Sequence, residues 1–170
     1  CTANKNGALD GLLRTADPGA GGDVGRAALL ACMGDRDART RALQGLVSTS
    51  EADVRIAQFY LRHRPVTQAE ELRELTQAIA GMKATDAQAR ALDVLARHYL
   101  SDRESLQTLC HLFARTGAWQ VQNAIAGVLL RADPAAIARR EVLRTLREYR
   151  VKSLPEGNMV DALIERLQLS

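Results

Sequence analysis

Aromatic residues make up only 4% of this 170-residue chain: one Trp, two Phe and three Tyr. So few rings argue against a sandwich or barrel built from aromatic and β-branched strands, and against a base-stacking strip for single-stranded nucleic acid. Lysine is almost missing, standing only at positions 5, 83 and 152. Arginine therefore supplies nearly all the positive charge, and its planar fork suits bidentate contact with carboxylate or phosphate. The formal net charge of +3 is slight for a dedicated nucleic-acid surface. The three cysteines, Cys1, Cys32 and Cys110, contain no CxxC pair and lack metal-knuckle or disulfide-framework spacing. Cys32 and Cys110 fall among apolar helical neighbours, where cysteine usually behaves as a small hydrophobe. No apolar run is long enough to span a bilayer.

What remains is an Ala/Leu-rich chain with 46% hydrophobic and 25% charged residues, in the globular range. It suits one compact domain or a short repeat array. Residues 1–23 read as an N-terminal extension or short cap, punctuated by Gly7, Gly11, Pro18 and Gly19, with a short helix over Ala8–Arg14. The glycine-rich run Ala16–Gly25 lacks both the GxxxxGK[ST] pattern and a preceding strand, so it is read as a turn rather than a phosphate loop.

From Val24 the apolar periodicity is helical. It predicts helices over Val24–Met33, Asp37–Val47, Ala52–Arg64, Thr67–Gly81, Asp86–Tyr99, Asp102–Thr116, Ala118–Leu130, Pro134–Tyr149 and Asn158–Leu167. Thr67 with Glu70, and Ser101 with Glu104, have capping-box spacing. Pro134 suits a first helical turn after Asp133, and Asn158 suits the cap of the last helix.

The helices repeat. Ile56-Ala57-Gln58-Phe59-Tyr60-Leu61-Arg62-His63 matches Ala91-Leu92-Asp93-Val94-Leu95-Ala96-Arg97-His98, which in turn matches Ile125-Ala126-Gly127-Val128-Leu129-Leu130-Arg131. The alternate helices keep the same period through Leu75, Leu109 and Leu143, and through Ala78, Leu112 and Leu146. Two interleaved helix families at one period are the mark of stacked helix hairpins, because a lone hairpin cannot bury its apolar stripe. These positions, with Phe59, Tyr60, Tyr99 and Phe113, are the expected core. Trp119 opens its helix, either packed over the repeat seam or exposed as a contact residue.

Val121-Gln122-Asn123-Ala124-Ile125-Ala126-Gly127-Val128-Leu129 follows the apolar spacing of the HEAT second-helix pattern D-x-x-V-R-x-x-A-A-x-A-L, with Gln122 in place of Arg. Ala87–Leu95 follows it more loosely, and Asp53-Val54-Arg55 has a similar triplet in a shifted register. On these residues the chain resembles the HEAT class over about residues 24–150. Tetratricopeptide repeats share the period, but the regular W-x2-L-G-x2-Y pattern is missing. The resemblance implies an all-α, right-handed α-solenoid of antiparallel two-helix repeats with terminal capping helices. Residues 1–23 would precede the array and 151–170 would form a C-terminal capping helix. Such arrays often bind proteins, and the resemblance implies no enzyme activity. The fold also occurs in bacterial alkylpurine DNA glycosylases, whose catalytic arrangement does not map onto these residues.

The leading expectation is a non-catalytic protein-interaction or assembly scaffold, with no cofactor and no metal site. Its candidate partner-binding residues are the repeat-related Arg55, Arg62, Arg90, Arg97 and Arg131, together with Trp119. The alternative is a nucleic-acid-binding solenoid whose repeat-related arginines contact phosphates, and solvated helix-end arginines are a third reading. A second cluster, Arg139, Arg140, Arg144, Arg147, Arg150 and Lys152, is interrupted by Glu141 and Glu148 and reads as spread over more than one face. His63 and His98 are repeat-equivalent, and adjacent Cys110 and His111 diverge on a helix, so neither pair makes a convincing metal site. A cytoplasmic location is the default expectation, with a periplasmic or lipid-anchored form if Cys1 is a processed N-terminus.

Overall fold

In a computed structural model of the protein, the described residues are 22–32 and 34–169, and they divide into two compact units that meet between Val66 and Thr67. Every regular element among them is helical, with nine α-helices. The helix expected over Ala8–Arg14 lies outside the described residues. None of the described helices is long and apolar enough to cross a membrane.

The first unit contains α1 (Gly22–Cys32), α2 (Arg36–Gln44) and α3 (Glu51–His63). Asp35 starts α2 by accepting a hydrogen bond from the Ala38 amide at 3.0 Å, satisfying one of the open donors of the first turn. A short 3-10 turn, Gly45–Val47, continues α2 and packs on α3. The approach there is close: a Cβ on Gly45 would stand 2.9 Å from Val24 Cγ1 and 3.1 Å from the Asp53 carbonyl oxygen. Arg41 pairs with Asp23 at 2.5 Å to link α2 to α1. Arg39 donates to the Tyr60 hydroxyl at 2.9 Å, tying α2 to α3. Cys32 is not simply a small hydrophobe; it is disulfide-bonded.

The second unit contains α4 (Ala69–Ala80), α5 (Thr85–Leu95), α6 (Arg103–Arg115), α7 (Trp119–Arg131), α8 (Arg139–Tyr149) and α9 (Met159–Leu169). Neighbours in space alternate along the chain. Helices α4, α6 and α8 pack side by side in one layer, α5, α7 and α9 in the other, and α4 with α5, α6 with α7 and α8 with α9 pair between layers. This is a repeating contact pattern consistent with a helical-repeat architecture. Leu92, Leu95, Leu109, Ile125 and Leu129 fill the space between layers.

The repeat register carries through to burial. Ala57, Leu92 and Ala126 are wholly buried, as are Tyr60, Leu95 and Leu129 in the next shared position. Leu75, Leu109, Leu112 and Leu146 are buried, Leu143 is half-buried and Ala78 is exposed. Phe113 joins the core as expected. Phe59 does not: it is 62% exposed, whereas Val94 and Val128 at the equivalent places are buried. The Phe59 ring lies tilted against His63, centroid to centroid 5.1 Å, the one ring contact it makes among the described residues. Tyr99 is 63% exposed because α5 stops four residues earlier than its periodicity implies. There the Arg97 and His98 amides bond to Val94 and Leu95, three residues back, tightening and ending the helix.

Two expected caps also shift. Gln68, not Thr67, precedes α4, with no side-chain cap bond. Asp102, not Ser101, caps α6 by accepting from the Ser105 amide at 3.2 Å. The single helix expected over Pro134–Tyr149 is broken. Asp133 caps a 3-10 turn, Pro134–Ala136, the chain extends at Ile137, and α8 starts at Arg139. Asn158 does cap α9, accepting from the Asp161 amide at 2.8 Å, and Leu163 and Leu167 are buried beneath that helix.

Candidate functional site

The second unit is locked at helix ends by a repeated side chain. Gln88 on α5 and Gln122 on α7 occupy equivalent repeat positions, and both are buried. The Gln88 amide donates to Ile79 O at 2.9 Å and Met82 O at 3.3 Å, taking up open carbonyls at the end of α4. Gln122, 0% exposed, does this for two helices together. Its Nε2 donates to Phe113 O at 3.2 Å on α6 and Tyr149 O at 2.8 Å on α8, while its Oε1 accepts from the Val151 amide at 3.0 Å. An arginine, the HEAT residue at this place, could donate but could not accept that last bond. Nearby, Arg115 donates to Ala80 O at 2.5 Å. At the opposite end Arg73 of α4 donates to the Asp102 carboxylate at 3.1 Å, which also accepts from the Ser105 hydroxyl at 2.9 Å. Arg73 and Ser105 together hold the Asp102 carboxyl below its usual range against the opposing effect of burial.

Helices α6 and α8, fixed in this way, are the walls of a groove of about 860 Å³. Leu106, Cys110 and Ala114 of α6 face Val142, Thr145 and Glu148 of α8. Leu129 lies at its base, and the broken segment Ala135–Ala138 lines it as well. The interruption before α8 thus supplies part of the wall. Charge is mixed: Arg103 and Arg144 contribute guanidinium groups, Glu141 and Glu148 carboxylates. The Cys110 thiol is free and pushed up to about 11, chiefly by burial and secondly by the Glu141 carboxylate. It stays protonated at neutral pH, the wrong state for a nucleophile or a soft-metal ligand.

The interrupted cluster around α8 is sorted by tertiary contacts. Arg139 donates to the Leu167 and Gln168 carbonyls at the end of α9. Arg150 forms a two-pronged pair with Asp161, 2.7 Å on each side. That contact, with the Asn158 amide beside it, pulls the Asp161 carboxyl down to about 2. Lys152 is exposed in the loop after α8, and Arg140, Arg144 and Arg147 remain, all exposed on α8 itself. No residue among those described forms an ion pair or hydrogen bond with any of these three arginines. Their i, i+4, i+7 spacing places them in one stripe, rimming a shallow depression that also includes Leu143 and Glu148.

The arginines singled out by repeat spacing are distributed differently. Arg55 and Arg62 are exposed on α3 in the first unit, Arg55 beside Glu51 at 3.7 Å. In the second unit Arg90 is exposed on α5, Arg97 follows the end of that helix, and Arg131 is the last residue of α7. Arg97 and Arg131 therefore sit at the C-terminal ends of two packed helices. Trp119 is half-buried at the start of α7. None of these six lines the α6–α8 groove. His63 and His98 fall in different units, and burial lowers the pKa of His98. No group of three His, Cys, Asp or Glu residues placed to hold a metal occurs among the described residues.

The groove was missed from sequence because its walls belong to helices about 34 residues apart and its end wall to an unanticipated break. The Arg140–Arg144–Arg147 spacing was visible. Which neighbouring arginines would be consumed by α9 was not. No protein-family model matches the chain, and neither a curated protein nor a solved structure matches it significantly.

Proposed function

We propose that the chain is a non-catalytic protein-interaction or assembly scaffold, built of HEAT-like two-helix repeats in a right-handed solenoid with α9 as its C-terminal capping helix. The observation that carries this reading is the α6–α8 groove, a mixed polar and apolar concavity whose walls are held at their ends by Gln122. A rigid surface of this kind meets a partner without a large ordering cost. The non-catalytic part draws on the Cys110 thiol of the groove, which burial holds in its protonated, weakly nucleophilic form.

The test is photo-crosslinking in the native setting, with a photoreactive residue at Gln107 or Thr145 on the groove walls and at Asp86 as a remote control. A protein adduct formed from the wall positions and not from Asp86 is the expected result. Adducts only with nucleic acid, or none from the walls in a chain of native helicity, would overturn it.

A further inference from the structure

We infer that the Arg140–Arg144–Arg147 stripe at the mouth of the α6–α8 groove receives an acidic amphipathic helix of a partner protein. The inference rests on the scaffold reading and names the chemistry of the partner.

Three like charges at i, i+4, i+7 repel one another along a helix. Two other arginines of this cluster are compensated by the fold: Arg139 is taken up by carbonyls of α9 and Arg150 by Asp161. The three stripe arginines have no such bonded partner among the described residues, and a single carboxylate of their own helix, Glu148, borders the same depression. Glu141 lines the groove toward α6, and Glu148 lines both that groove and the depression, leaving one acid against three guanidinium groups. The stripe is about 10 Å long at the helical rise, so a second helix with carboxylates at the same spacing presents one acid to each guanidinium. Arg144 belongs both to the stripe and to the groove lining. A helix paired with the stripe therefore lies along the groove mouth, with half-buried Leu143 available to its apolar flank.

A polypeptide fits this surface better than a nucleic acid. A phosphate backbone over the groove would meet Glu141 and Glu148, and like charges opposed across an interface are strongly disfavoured. A peptide helix can place neutral or cationic side chains opposite those two carboxylates and its acids opposite the arginines.

The experiment is selection of a displayed library of helical peptides, about 20 residues long (roughly 30 Å when helical), on the full chain. The comparison protein carries Arg140→Gln, Arg144→Gln and Arg147→Gln together. These side chains are exposed and bonded to nothing described, so the triple variant is expected to keep its helical circular dichroism and melting temperature. Recovered peptides should carry Asp or Glu at i, i+4, i+7 and bind the triple variant about tenfold more weakly, as expected for three exposed charge pairs lost together. Peptides without that pattern, acidic peptides that bind both proteins equally, or a short RNA duplex that binds more tightly with the same arginine dependence would each overturn the proposal. A protein crosslinked from Gln107 or Thr145 whose binding ignores the triple variant would remove the acidic helix and leave the scaffold. Loss of wall crosslinking altogether would remove both.

Discussion

Asp53 in the first unit stands where the second unit has Gln88 and Gln122, and the difference in one functional group changes how helix ends are held. The Asp53 carboxylate, in the first turn of α3, accepts from the Ser48 hydroxyl at 2.9 Å, a bond to the loop that precedes its own helix. An ionised carboxylate has no donor, so it cannot take up carbonyls left open at a helix C-terminus. A glutamine amide can, and Gln122 does so for α6 and α8 while accepting from Val151. The first unit relies instead on close backbone approach at Gly45 and on the Arg41–Asp23 and Arg39–Tyr60 links. The repeat preserves the apolar register in both units, but among the described residues the buried polar lock belongs to the second.

The largest expected effect tests that lock. Gln122→Leu keeps an apolar side chain in place but leaves two carbonyls and one amide short of a partner, which should cost about 2–4 kcal/mol. Asp53→Ala loses one local bond and should cost about 1 kcal/mol or less. Urea midpoints at constant m-value measure both, and equal losses would break the comparison.

The glycines give the next contrast. At Gly45 an added methyl meets a valine methyl and a backbone oxygen, so Gly45→Ala should cost about 1–3 kcal/mol from overpacking. At Gly127 the close neighbour is the Met159 sulfur at 3.0 Å. That flexible side chain can shift, and the helix propensity of alanine returns up to about 1 kcal/mol, so Gly127→Ala should lie near neutral or slightly stabilising. Scanning calorimetry on the pair decides whether the first unit is the tighter at its crossing.

A smaller effect belongs to acid. Asp161 titrates at about 2 in the fold against an ordinary 3.8. Its stabilisation is therefore full above 3.8 and is lost as pH falls through about 2. The pair is substantially solvent-exposed, which limits the contribution to below about 1 kcal/mol. Arg150→Ala should flatten this part of an acid-unfolding profile, and an unchanged profile would show that the pair is uncoupled from folding. The smallest expected effect concerns the repeat-related arginines. Arg62→Glu in the first unit and Arg97→Glu in the second should each change low-salt retention of short duplex DNA or RNA by less than about twofold. A collapse of saturable, salt-sensitive binding in either would raise the nucleic-acid alternative above the scaffold.

Most helix positions were legible in the sequence because the 3.6-residue periodicity is a local property, and residues such as Leu92, Leu95 and Leu129 fall on the buried stripe it marks. Caps were less so, since Ser101 and Asp102 are both chemically competent and only the backbone geometry selects Asp102. Phe59 and Tyr99 mark a different boundary. Periodicity assigns a residue to a stripe, but burial also requires an element to cover it, and in Tyr99's case a helix that continues that far. The candidate site was the least legible part, for the same reason that Arg139 and Arg150 could not be told from Arg140, Arg144 and Arg147 by spacing. Their partners lie on α9, in a later segment of the chain.

The amino-acid sequence by itself determined an all-helical protein, the repeat period and the apolar register, because side-chain volume, backbone propensity and helical spacing act over a few residues. Tertiary structure alone decided that Gln122 joins two helix ends, that α6 and α8 leave a groove between them, and that three arginines of α8 have no bonded partner among the described residues. Those outcomes depend on which carbonyls, carboxylates and walls arrive from distant segments, and no local pattern encodes their meeting.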